Sequence, residues 1–119
     1  MNDKQKDYLL SIGIDLDAAI NYTGDLEMYH EILLDFYDGL DAQFETIKNS
    51  ITDLPNYAIL VHALKSNART LGITSLAEVA YNHEMASKEG NSLFVNGDIS
   101  NLENAVNNVK TLIEKYKEM

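Results

Sequence analysis

Cysteine and tryptophan are absent from this 119-residue chain, proline occurs once and glycine six times. Without cysteine the chain can form neither a disulfide nor a thiolate metal site, so its stability must come from packing. The length amounts to one domain, residues 1–119. A folded chain of this size removes roughly two thirds of its unfolded surface from water, enough for one core. Positive charge is scarce too, with 9 Lys and Arg against 19 Asp and Glu and a net charge of −10. A nucleic-acid binder needs a basic stripe to neutralise phosphates, so nucleic acid is excluded as a partner class. Long apolar runs are also missing. The stretch Ala58–Leu64 is broken by His62 and falls far short of the roughly 20 residues that span a bilayer, so no membrane insertion is expected. The polar start Met1–Asp7 is followed by few apolar residues, which is not the core of a signal peptide, and a cytoplasmic location is expected.

What remains is helical patterning. No alternating strand pattern competes with segments whose apolar residues recur at steps of three and four. A short helix is predicted over Lys4–Ser11, and a second from the N-cap Asp15 to Tyr22 before the Thr23-Gly24 stop. Asp25 then caps a long helix in which Tyr29, Ile32, Leu33, Phe36, Leu40, Phe44 and Ile47 form one stripe over about six turns. Gly39 within it costs about 1 kcal/mol of helix propensity and suggests a bend. Asp53 and Pro55 start the next helix, which runs over Leu54–Leu71 and stops at Gly72. Another opens at Thr74 or Ser75, with Ser75 and Glu78 spaced as a capping box, and closes at Gly90. The polar stretch Asn91–Asp98 reads as a loop. A last helix over Ile99–Lys117 carries Leu102, Ala105, Val106, Val109, Leu112, Ile113 and Tyr116 on one face. Four long helices joined by short turns predict an all-α fold, an antiparallel up-and-down four-helix bundle with the two short amino-terminal helices at one end.

The helix over Leu54–Leu71 carries the chemistry. Leu60, Ala63, Leu64, Asn67 and Leu71 share one face, while His62, Lys65, Ser66 and Arg69 form a polar stripe pointing away from it. His62 lies about 200° around the helix from Leu60 and Leu64, so its ring should reach solvent. A neutral imidazole is a competent nucleophile near pH 7, and a nearby cation can stabilise the charge on a transferred phosphoryl group. Lys65 would be that cation. Ser66 is small enough to let a partner approach, and Arg69, the only arginine, adds to a small positive patch. Taken alone, an exposed helical His followed by Lys is most often a solvated surface.

The run His62-Ala63-Leu64-Lys65-Ser66-Asn67-Ala68-Arg69-Thr70-Leu71-Gly72 resembles the motif of histidine phosphotransfer domains of multistep two-component phosphorelays. The likeness extends to Gly13-Ile14-Asp15, to Gly24-Asp25-Leu26-Glu27-Met28-Tyr29 with Phe36, and to Leu76, Ala80, Glu84 and Lys88-Glu89-Gly90-Asn91. It thus covers nearly the whole chain. The resemblance implies a phosphorylated His62, Lys65 as electrostatic support and Ser66 as the small residue beside it. It also implies phosphoryl transfer to and from aspartates of response-regulator receiver domains, downstream of a hybrid sensor histidine kinase. Ser66 stands where the family more often has Gly, and His83 where it more often has an apolar residue.

The chain has neither a glycine-rich phosphate loop nor room for an ATP-binding domain. It is therefore expected to be no kinase, to need no cofactor, and to depend on partners docking on Ala58, Ile59, His62, Lys65, Ser66 and Arg69. With its amino-terminal helices short, a monomer is expected. Of the other histidines, His83 shares a face with Leu76, Val79 and Ala80 and should be a hydrogen-bonded core residue. His30 completes Glu27-x-x-His30, the spacing of di-iron bundles, but no second such pair exists, so no metal site is assigned. Two rivals remain: a helical adaptor using the same face without phosphate chemistry, and a metal-binding bundle.

Overall fold

The computed structural model describes all 119 residues, which form six α-helices and no strand: α1 Asp3–Ser11, α2 Leu16–Thr23, α3 Leu26–Lys48, α4 Leu54–Thr70, α5 Thr74–Lys88 and α6 Ser92–Lys117. Helix starts follow side-chain oxygens that satisfy otherwise unpaired first-turn N–H groups. Asn2 and Gln5 cap α1 reciprocally, and Asp15, Asp25 and Asp53 accept from the N–H groups of Ala18, Met28 and Asn56. α3 runs unbroken through Gly39. Its buried face is Tyr29, Leu33, Phe36, Leu40, Phe44 and Ile47, with Ile32 half-buried beside it.

One cap and one boundary differ from the sequence reading, while α5 opens at Thr74 as expected. Ser75 and Glu78 form no capping box. The N-cap of α5 is Ile73, which makes no side-chain cap bond and is 3% exposed, so burial of an apolar side chain decides the start of α5. The expected loop over Asn91–Asp98 is instead the first two turns of α6. Gly90 turns the chain at φ 72°, Asn91 accepts from the N–H of Phe94 at 3.1 Å, and Val95 is fully buried. Val95 extends the apolar stripe of Leu102, Val106, Val109, Ile113 and Tyr116 by two more turns. At 1.5 Å per residue α6 is about 39 Å long, so it runs most of the 45 Å long axis of the molecule.

Each of the four long helices packs against two others: α3 on α4 and α6, and α5 on α4 and α6, with the α4–α5 contact the most extensive. α2 sits against α3 and α4, and α1 against α6, where Gln5 Nε2 donates to the Tyr116 carbonyl at 3.3 Å. One contiguous apolar core joins all six helices. No buried side-chain nitrogen or oxygen lacks a hydrogen-bond partner. No helix is long and apolar enough to cross a membrane.

Candidate functional site

α4 and α5 are joined by Leu71, Gly72 and Ile73. Gly72 takes φ 72°, a conformation that favours glycine, and the Ile73 N–H returns to the Ala68 carbonyl at 2.9 Å. This closes α4 and lays α5 directly along it.

The buried face of α4 is Tyr57, Ala58, Val61, Leu64, Lys65 and Ala68, continued by Leu71. The expected face of Leu60, Ala63, Leu64, Asn67 and Leu71 is therefore rotated. Leu60 is only half-buried, and Ala63 and Asn67 face solvent, because α5 covers the other flank of the helix. Two proposed surface residues move with that rotation. Lys65, read as part of an exposed stripe, is buried at 8% exposure, and Ala58 is buried at 6%. His62, Ser66 and Arg69 stay exposed, as does Ile59.

His62 leans toward α5. Its Nδ1 lies 2.7 Å from Oε2 of Glu84, while the side chain as a whole remains 55% exposed. A carboxylate only accepts, so Nδ1 must donate its hydrogen; in the neutral ring the lone pair then sits on Nε2. Nε2 makes no hydrogen bond to protein. Glu84 is 1% exposed and receives two further donors, Lys65 Nζ at 2.5 Å on Oε1 and Lys88 Nζ at 2.9 Å on Oε2. Burial by itself would raise the carboxyl, but the bonds from Lys65, Lys88 and His62 outweigh it and hold Glu84 down at about 2. Glu84 is thus a fixed anion beneath the ring. Lys65 also stands 5.6 Å from the Tyr81 ring centroid and Arg69 5.8 Å from it, with Arg69 in no ion pair.

A groove of about 540 Å³ opens between α4 and α5 beside His62, lined by Pro55, Ala58, Ile59, His62, Glu84, Ser87 and Lys88. Lys65 is not among its walls. A hollow of about 290 Å³ on the other flank of α4, lined by residues including Ile32, Asp35, Phe36, Asn67 and Leu71, holds no histidine or lysine.

Compared with known proteins, the chain matches no family model, no curated protein and no solved structure.

His83, next to Glu84 on α5, points the other way into the core. It is fully buried, with Nδ1 2.8 Å from the Tyr57 hydroxyl and Nε2 3.0 Å from Oδ2 of Asp98. Both ring nitrogens are occupied, as expected for a core histidine. Burial pushes the Tyr57 hydroxyl up, and the Asp98 charge adds to the effect. His30 is bonded through Nδ1 to the Tyr116 hydroxyl at 2.5 Å. No three His, Asp or Glu side chains converge as metal ligands anywhere in the chain.

Sequence reasoning did not assign chemical roles to Glu84 and Lys88. Both residues lie on a different helix from His62, beyond the reach of any local spacing rule. The one local signal was their i,i+4 Glu-to-Lys order, a common feature of solvated helix faces.

Proposed function

We propose that this protein is a phosphorelay intermediate of the histidine phosphotransfer type, carrying a phosphoryl group on Nε2 of His62. The observation that carries the reading is the half-exposed His62 ring, with Nδ1 committed to the buried Glu84 carboxylate and Nε2 left without a protein partner. That arrangement supports a nucleophile whose tautomer is fixed before a donor arrives. In the forward step the Nε2 lone pair attacks the phosphorus of an acyl phosphate on a receiver aspartate. The P–O bond breaks, and its electron pair returns to the aspartate carboxylate. No proton has to leave, because Nδ1 keeps its hydrogen and the positive charge on the ring faces the Glu84 carboxylate. The reverse step delivers the group to another receiver.

The same reading takes the four long helices as an antiparallel up-and-down bundle, with α1 and α2 as additions. It takes the protein as a cytoplasmic monomer that engages receiver domains and a hybrid sensor kinase and has no kinase activity of its own. The exposed Ile59 beside His62 supports docking there, with Arg69 at the rim.

The test is transfer of labelled phosphate from phosphorylated receiver domains to the purified protein, beside His62→Gln. Acid-labile, alkali-stable label on the wild type and none on the variant is expected. Receivers that bind both proteins and label neither would favour the adaptor reading instead.

A further inference from the structure

We propose that the cation serving the phosphoryl group on His62 is Lys88 of α5, with Lys65 kept as the resident counter-ion of Glu84. The proposal rests on the phosphotransfer reading and deepens it. Three observations lead to it.

The first is placement. Lys88 and His62 both line the groove between α4 and α5, whereas Lys65 does not. The His62 Nδ1 and the Lys88 ammonium also share one acceptor, Oε2 of Glu84, at 2.7 and 2.9 Å. The ammonium is thus held within a phosphate's breadth of the ring.

The second is freedom. The Lys88 side chain is 57% exposed and that of Lys65 10%. Lys88 can swing its ammonium through solvent at little cost. Lys65 would have to leave a buried carboxylate and give up its place near the Tyr81 ring.

The third is charge. One carboxylate, Glu84, is met by two ammonium groups, so the cluster carries one positive charge more than it needs. When a phosphoryl group arrives, Lys88 can transfer from Oε2 to a phosphoryl oxygen while Lys65 on Oε1 keeps Glu84 neutralised. If Lys65 moved instead, the buried oxygen Oε1 would lose its only donor. The exchange also frees Oε2 to bond Nδ1–H alone, at the moment when the ring becomes positive. No covalent change at Lys88 is involved.

The test uses phosphoramidate, a small donor that needs no receiver: the His62 Nε2 lone pair displaces ammonia from phosphorus, and an N–P bond replaces the one broken. Rates of His62 labelling are compared for the wild type, Lys88→Met, Lys88→Arg and Lys65→Met. Lys88→Met should slow labelling about tenfold and Lys88→Arg should recover most of that loss. Lys65→Met should lower resistance to denaturant while its folded fraction labels within about threefold of wild type. Wild-type labelling with an undiminished rate in Lys88→Met would overturn the proposal and leave phosphotransfer standing. So would a slowed Lys88→Arg, which would mark Lys88 as a steric element. A wild type that takes label neither from phosphoramidate nor from any receiver would remove the phosphotransfer reading itself, and this proposal with it.

Discussion

His62 and His83 lie on neighbouring, packed helices and end in opposite conditions. His83 has no exposure and a partner on each ring nitrogen, Tyr57 on one side and Asp98 on the other. His62 has one partner, Glu84, and an open second nitrogen. The residue type is the same and each ring contacts a carboxylate. In the proposed reading, what separates a structural from a reactive imidazole is whether a lone pair is left over, and burial matters because it decides how many partners close in. Adjacent α5 residues serve the two rings differently: Glu84 reaches out under His62, while His83 reaches in to tie α4 and α6 together.

The sharpest way to break this contrast is to exchange the roles. His62→Gln should abolish acquisition of acid-labile label while leaving the denaturation midpoint near that of wild type, because Gln is at an exposed position. His83→Ala should do the reverse. It empties a packed site and strands the Tyr57 hydroxyl, costing about 3–4 kcal/mol in urea unfolding, while the folded fraction should take label at close to the wild-type rate. A large loss of labelling in folded His83→Ala would dissolve the distinction between the two rings.

The next effect is set by Glu84. Its carboxyl sits at about 2, well below the ordinary value of 4.5. The stabilisation from its charge is therefore full above about pH 4.5, and it is lost as pH falls from there through about 2. The depression corresponds to a contribution on the order of 3 kcal/mol. Urea unfolding of wild type and Glu84→Gln should differ by about that amount at pH 7 and converge near pH 2. Parallel curves across that range would mean that the ion cluster contributes no pH-dependent stability. The smallest effect belongs to Arg69, exposed, in no ion pair and with its guanidinium 5.8 Å from the Tyr81 ring centroid. Arg69→Ala should change stability by about 0.5 kcal/mol or less and should weaken labelling by receivers while leaving labelling by phosphoramidate unaltered.

Much of the helical layout was legible from local chemistry. Asp15, Asp25 and Asp53 cap where their short oxygen-bearing side chains predict, Gly72 and Gly90 stop helices, and the stripe from Tyr29 to Ile47 is buried as its spacing demands. The exposure of His62 followed from helical angle alone. The start of α6 was obscured by Gly97 and a run of polar residues, yet Val95 already stood in step with Ile99 and Leu102, and Asn91 was available as a cap. Lys65 and Ala58 were misplaced for a different reason. Periodicity gives the width of an apolar face, but the flank that a neighbouring helix covers depends on how α5 docks, which no window of α4 encodes. Glu84 joins the site only through that docking.

Every side chain in the ion cluster comes from one helical hairpin, α4 and α5, closed by three residues at Leu71–Ile73. That makes the turn a ruler. One residue inserted within α5 between this turn and Glu84 would shift Glu84 by about 100° around the helix relative to the residues before it, swinging its carboxylate away from the imidazole and leaving the ring without a fixed tautomer. Gly72 cannot readily be traded to compensate, since its backbone is left-handed and an added Cβ would stand 3.3 Å from Cγ2 of Ile14 in the segment before α2. The open ring nitrogen is thus written into the chain twice, once as a histidine and once as the count of residues from the turn to Glu84.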